Sequence, residues 1–285
     1  MLFRSLSGHT NKNRLSIFAN KPAPLQITWA GYLNSTGLQE IDYIVGDPYV
    51  TPTIEKNQFS EKILQMPTIW NCFSIPAYSN LKINKETPII KNKFITFGAF
   101  HQIKKINENV IKLWSKILLK INQSVMIIRA PEFDNQIIKR EFYNQFSIHG
   151  MNNSKLILEG STSRENLLSE YNRIDIFLDT FPYNGGSTSF ECAFMGVPML
   201  TLKGSRFLSR CGESININLG MNEWIANNQE EYYEKAIKFS KNINSLNLIR
   251  KNLHIKAINS PLFDSKKFAK DFEIIIKNLL LTHLK

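Results

Sequence analysis

Cysteine is scarce in this chain of 285 residues, which has only Cys72, Cys192 and Cys211. They are odd in number, far apart and without CxxC or Cys/His ligand spacing, so neither a disulfide framework nor a zinc site is indicated and buried thiols are expected. Long apolar runs are missing too. No stretch approaches the roughly 18 uninterrupted apolar residues of a membrane span, and the N-terminus, with Arg4, Ser5, Ser7 and His9, has no apolar signal core. A cytoplasmic protein is the expectation. Acidic residues are few beside basic ones, 24 against 35, which leaves a formal charge of +11. Such an excess admits nucleic acid, an anionic surface or a phosphorylated ligand. Most of the lysines stand beside Asn and Ile, as at residues 82–85 and 238–243, which reads as a solvated face. No RNA- or DNA-reading motif accompanies the charge, so nucleic acid is not an expected partner. There is no internal repeat, and in particular no tetratricopeptide pattern.

What is present is an ordinary globular composition, 43% hydrophobic and 21% charged, in a chain longer than the usual single domain. Residues 25–30 and 41–45 read as short buried strands, the second closed by Asp47-Pro48, with a turn region over 31–37 between them. From Phe94 a regular alternation begins. Strands are expected at 94–100, 125–128, 155–158, 174–178 and 198–202. The intervening segments 107–119, 137–146, 163–171 and 187–195 have helical spacing or a helix-opening residue. At 163–171 the opening is a capping box of Ser163 with Asn166 in the weaker place of Glu. Trp114 on the first of these helices reads as core. Amphipathic helices close the chain at 230–239 and 268–281. Strands alternating with helices imply an α/β fold with a doubly wound parallel sheet covered on both faces.

The most informative run is residues 178–191, LDTFPYNGGSTSFE. A strand ends in a turn, two glycines allow close backbone approach, and a helix starts on hydroxyl residues. Such a terminus offers free N–H groups and the positive end of a helix dipole, which favour phosphate. Gly185, Gly186, Ser187 and Thr188 form the candidate cradle, placed after a parallel strand where open α/β sheets bind ligands. Glu191, one turn into the helix, is positioned to accept hydrogen bonds from ribose hydroxyls. The run is not a P-loop, since no Gly-Lys-Ser/Thr follows, nor is it the spaced dinucleotide fingerprint. Asp175 and Asp179 read as structural carboxylates. His101, His149, His254 and His283 share no spacing with Cys or acids, so no metal is expected. Arg206 and Arg210 read either as extra charge near the phosphate or as surface.

These motifs, with Gly196-Val197-Pro198 and Ser260-Pro261-Leu262-Phe263, resemble the catalytic region of the O-linked N-acetylglucosamine transferase and SPINDLY-like glycosyltransferases. Gly8-His9-Thr10, Asn13-Arg14-Leu15, Trp29-Ala30-Gly31-Tyr32, Ser35-Thr36-Gly37 and Ile41-Asp42-Tyr43 follow the order of that family, so the resemblance covers essentially the whole chain. It implies a GT-B-type architecture: residues 91–285 as a Rossmann-like nucleotide-sugar lobe and 1–90 as an incomplete acceptor-side lobe. The implied activity is inverting transfer of N-acetylglucosamine or another hexose from a UDP-sugar to Ser/Thr of a protein or another hydroxyl, without a metal or further cofactor. Gln102 and Lys105 match positions that contact the diphosphate, with Lys104 the competitor if the register shifts by one. A metal-free enzyme must neutralise the leaving diphosphate with fixed donors, and an ammonium beside a helix terminus supplies them.

In the same resemblance Ser187 and Thr188 match the phosphate-binding hydroxyl pair, and Glu191 takes the place of a ribose-binding carboxylate that is usually Asp. Thr162 and Arg164 match positions that meet the uracil. Leu167 and Gly186 stand where some members have histidine. His9, Thr10, Ala30 and Gly31 match residues that line the sugar pocket from the other lobe, and Lys105 and His9 are the catalytic candidates. The family's acceptor lobe starts well before Gly8, so a general base is expected to be missing here and a separate N-terminal lobe or repeat-containing chain is admitted as a partner. Two alternatives remain: a non-catalytic UDP-sugar-binding fragment, and a basic nucleic-acid-binding protein.

Overall fold

A computed structural model describes residues 2–5, 8–78 and 81–283. The N-terminal part is a four-stranded, wholly parallel sheet in the order β1-β2-β3-β4. Its strands are β1 (Leu2–Ser5), β2 (Leu25–Thr28), β3 (Tyr43–Gly46) and β4 (Lys62–Gln65), with the single-turn helix α1 (Leu15–Phe18) between the first two. β2 is buried along its whole length, as a strand covered on both faces should be. It stops two residues short of the expected end because the chain turns at Ala30, whose φ of 68° lies in the left-handed region. Asp47 closes β3: its carboxylate accepts the amides of Tyr49 (2.8 Å) and Val50 (2.9 Å), fixing the turn that Pro48 begins.

After the short helix α2 (Ile89–Asn92), a second sheet alternates strand and helix as the pattern predicts. In chain order it runs β5 (Ile95–Ala99), α3 (Glu108–Lys120), β6 (Ser124–Arg129), α4 (Gln136–Ile148), β7 (Leu156–Glu159) and α5 (Arg164–Glu170). Then follow β8 (Ile176–Leu178), α6 (Ser187–Phe194), β9 (Met199–Leu202), α7 (Cys211–Asn218) and β10 (Ile225–Ala226). Three helices end the chain: α8 (Gln229–Lys241), α9 (Ile243–Ile258) and α10 (Ser265–His283). The helix starts carry their own signals. Asn107, Asn135, Asn228 and Asn242 cap α3, α4, α8 and α9, and the Ser163 hydroxyl caps α5.

The six strands are parallel in the order β10-β9-β8-β5-β6-β7. The chain therefore winds outward from β5 one way through β6 and β7, then returns to β8 and winds the other way. The topological switch lies between β5 and β8, and the crevice beyond their carboxyl ends is where such sheets take ligands.

The two sheets are joined through core and by polar ties. Trp70 packs edge-on against Phe190 and Phe207, and Phe73 stacks on Phe190 with centroids 4.4 Å apart. The second Asp47 oxygen accepts the Trp70 amide (2.8 Å) and the Ser214 hydroxyl of α7 (2.6 Å). Arg210 pairs with Glu55, and the Asn218 amide donates to the Thr68 carbonyl at 3.0 Å. α10 crosses back to cover the first sheet, where Trp29 stacks on Phe268 (centroids 5.7 Å apart) and Phe272 (5.1 Å). Among the described residues no helix is long and apolar enough to cross a membrane.

Candidate functional site

A cleft of about 590 Å3 opens at the switch point, between the carboxyl ends of β5 and β8 and the loops of the first sheet. From the C-terminal side it is lined by His101, Gln102, Lys104 and Lys105 after β5, and by Tyr183, Gly186, Ser187 and Thr188 after β8. Thr10, Ala30 and Gly31 line it from the N-terminal side, with Asn71 and the buried Trp70 between. The fold thus brings together, from segments far apart in the chain, most of the residues singled out in the sequence.

The wall after β8 is organised by Asp179, which is fully buried at the strand end. One oxygen accepts the amides of Gly185 (2.7 Å) and Thr180 (3.0 Å); the other accepts the Thr201 hydroxyl of β9 (2.7 Å). Burial pushes its pKa up to about 6, against the lowering effect of those bonds and of Lys105. Two glycines make the arrangement possible. A Cβ at Gly185 would lie 2.2 Å from the Ser189 hydroxyl and 2.7 Å from the His101 ring. One at Gly212 would lie 2.0 Å from the Thr201 hydroxyl and 2.6 Å from Asp179. Gly186 is different, since a Cβ there would meet open space. The turn delivers the chain to Ser187, where α6 starts with its positive end on the cleft wall.

Lys105 reaches across from the turn after β5. Its Nζ donates to the Asn184 carbonyl at 2.8 Å and sits 3.8 Å from the centre of the Tyr183 ring, a cation–π contact. Burial lowers its pKa from the usual lysine value, with Asp179 opposing. Lys104 and Gln102 on the same turn are exposed. Only Lys105 is therefore held by partners at the helix terminus, which distinguishes it from its neighbour in sequence.

Arg164, Thr162 and Glu191 form a second group outside that lining. Arg164 pairs with Glu191 at 2.7 Å, and the Tyr171 hydroxyl lies 3.3 Å from the other Glu191 oxygen and 3.0 Å from the Thr188 carbonyl. Glu191 is buried, and burial raises its pKa while Arg164 opposes the rise. Thr162 and Arg164 are exposed at the start of α5. The carboxylate is thus already engaged by a guanidinium that faces solvent.

On the N-terminal side His9 is exposed, with Nε2 2.7 Å from the Thr36 carbonyl and its ring edge-on to Tyr32. It stands beside the cleft, while Thr10 belongs to the lining. The loop that follows is tied down by buried Glu61, which accepts the Thr36 amide (2.7 Å) and the Ser35 hydroxyl (2.7 Å).

Three other readings resolve plainly. Asp175 accepts the amides of Ile89 and Thr96 and the Thr87 hydroxyl, a structural role. Arg210 is spent on Glu55 and Glu213, and Arg206 reaches Gln58, so neither lines the cleft. No cluster of three His, Cys, Asp or Glu able to hold a metal exists among the described residues. Sequence reasoning missed His101: it is 2% exposed, with Nδ1 3.1 Å from the Thr188 hydroxyl. Its one available signal was its place directly after the β5 segment, beside Gln102.

Two parallel sheets facing a cleft at a topological switch point make this a GT-B-type glycosyltransferase fold. The chain belongs to glycosyl transferase family 41, whose profile matches residues 2–79 and 84–272. It is 32% identical over 275 residues to the probable UDP-N-acetylglucosamine–peptide N-acetylglucosaminyltransferase SPINDLY of Eustoma exaltatum subsp. russellianum, covering 96% of this chain and 30% of that protein. To the corresponding SEC protein of Arabidopsis thaliana it is 28% identical, covering 94% of this chain and 28% of that one. A solved structure of a mutant of the Thermobaculum terrenum O-GlcNAc transferase superposes with a TM-score of 0.91 at 28% identity, covering 97% of this chain and 52% of that chain. The chain thus spans roughly a third or less of the curated relatives it matches.

Proposed function

We propose that the cleft binds a uridine diphosphate sugar and that the chain serves inverting transfer of the sugar, N-acetylglucosamine or another hexose, to a Ser/Thr of a protein or another hydroxyl. Residues 91–285 act as the donor lobe and residues 1–90 as part of the acceptor side. The observation that carries the reading is the convergence of the Lys105 ammonium, the α6 terminus and the hydroxyls of Ser187 and Thr188 on one cleft wall. These are fixed donors aimed where negative charge gathers on a departing diphosphate, a role that needs no metal. Gln102 adds a neutral donor. Arg164, oriented by Glu191, and Thr162 lie where the base extends beyond the cleft; His9, Thr10, Ala30 and Gly31 bound the sugar. The relatives named for UDP-N-acetylglucosamine and peptide acceptors support donor and acceptor alike. A cytoplasmic setting and assembly with a further lobe or repeat-bearing chain belong to the same reading.

Calorimetric titration with UDP, paired with an assay of sugar release from the donor, tests it. Lys105→Ala is expected to weaken UDP binding about 10- to 100-fold, the usual worth of one charge-assisted bond. Binding without any sugar release or transfer would leave a nucleotide-sugar-binding module in place of an enzyme. No heat of binding would overturn both.

A further inference from the structure

His101 stands between the carboxylate that builds the β8 turn and a hydroxyl that faces the cleft. Its Nδ1 is 3.1 Å from the Thr188 hydroxyl, and its Nε2 is 3.6 Å from an Asp179 oxygen, with no hydrogen-bond partner among the described residues. The ring is wedged edge-on against Phe177, centroids 5.1 Å apart, and the absence of a side chain at Gly185 leaves it room. It is therefore a buried imidazole whose Nδ1 is bonded to Thr188 and whose unpartnered Nε2 faces the Asp179 carboxylate.

Two neutral tautomers are open to such a ring, and neither suits an anion in the cleft. With the proton on Nε2, the ring faces Asp179 well, but Nδ1 must accept the Thr188 proton. Thr188 then shows only lone pairs to the cleft. With the proton on Nδ1, Thr188 is free to donate outward, but a bare Nε2 lone pair faces the carboxylate. One further proton on the His101–Asp179 pair resolves the conflict: an N–H or O–H then lies between His101 and Asp179, Nδ1–H donates to Thr188, and Thr188 donates to the phosphate oxygen.

We propose that His101 is a positioning residue of the diphosphate site, a relay from Asp179 to Thr188 that aims the Thr188 hydroxyl at the donor, and that donor binding draws one proton onto the His101–Asp179 pair. This rests on the reading of the cleft as a UDP-sugar site. The neighbouring groups set the direction of the coupling. Burial and the Lys105 ammonium push the His101 pKa down to about 3, against the opposing pull of the Leu178 carbonyl, so the ring is neutral at neutral pH. A bound diphosphate offsets the Lys105 charge and adds negative potential, and both favour the extra proton. The other titratable groups near the pair are the buried thiols of Cys211 on α7 and Cys192 on α6, both raised by burial, and Tyr232, whose hydroxyl is fixed on the Asp179 carbonyl at 3.0 Å. Glu191 is turned to Arg164.

The test is titration with UDP-N-acetylglucosamine, a diester whose phosphates do not titrate near neutrality, in buffers of different ionisation enthalpy. The wild type is expected to take up close to one proton, and its affinity to fall about tenfold per pH unit above neutrality, as linkage requires. His101→Asn keeps a donor but removes the ring that shares the proton; it is expected to take up clearly less than one proton, what remains being that of Asp179, and to show a shallower pH profile. Thr188→Val leaves His101 in place and is expected to lower the uptake as well. Wild-type binding with buffer-independent heat overturns the relay and leaves the donor site standing. So does a full proton taken up by either variant. No binding of the donor at all overturns the underlying site, and the relay with it.

Discussion

The two walls of the cleft are made from different material. The C-terminal wall is continuous with a six-stranded sheet: β8 is buried throughout, Asp179 fixes the Gly185 turn, and His101 to Thr188 and Lys105 to Asn184 are tied across 87 and 79 residues. The N-terminal wall is loop. Thr10, Ala30 and Gly31 project from segments around a small four-stranded sheet whose last strand is largely exposed, held by Glu61, by the Trp29 indole on the Trp70 carbonyl and from behind by α10. Charge stabilisation needs donors that are already in place, because their reorganisation would cost what they contribute. In the proposed function those donors sit on the cross-linked wall. The looser wall suits contacts that differ between sugars and acceptors.

The largest expected effect falls on the rigid wall. Asp179→Ala leaves the Gly185 and Thr180 amides and the Thr201 hydroxyl without their buried acceptor, and a loss of about 3–5 kcal/mol is expected in denaturant unfolding. Next is a pH difference. The His101 pKa is depressed to about 3 from its usual 6.5, so the unfolded chain takes up a proton that the folded one refuses, and this stability is lost as pH falls from 6.5. Asp179 is raised to about 6 from 3.8, so its ionisation penalty is relieved over the window from about 6 down to 3.8 and partly masks the loss. His101→Asn removes the first effect alone. Its stability relative to the wild type should therefore rise by about 3 kcal/mol between pH 7 and pH 4, read from unfolding curves at each pH. The smallest effect is on the loop wall: Glu61→Ala is expected to cost about 2 kcal/mol, since the partly exposed Ser35 can turn to water and only the Thr36 amide and hydroxyl lose a buried acceptor. A larger loss there than at Asp179 would invert the contrast between the walls.

The same contrast governs what could be read from sequence. Strands β5 to β9 and helices α3 to α6 of the second sheet were legible from their apolar runs and helix-opening residues, and the Gly185-to-Thr188 turn because it is contiguous; α7 and the two-residue β10 were not singled out. α9 was not, since Ile243, Leu246, Leu248, Ile249, Leu253 and Ile255 point all round the helix and Leu248 and Ile255 remain exposed. β4 escaped because an edge strand with exposed ends has no apolar alternation to show. The relay was invisible for another reason: His101 and Thr188 are 87 residues apart, and only the adjacency of β5 and β8 joins them. The ties from Asp47 to Ser214, 167 residues apart, are of the same kind.

The central claim is that the diphosphate sits on the α6 terminus at the β5–β8 switch. Amide hydrogen exchange with and without UDP tests it most directly, because binding there must shield the first-turn amides of α6. Added protection at residues 185–190 and 101–106, together with the proposed base-binding segment 162–166 and not elsewhere, is the predicted result. Saturating UDP that leaves those segments unchanged, or protects another face of the protein, would contradict it.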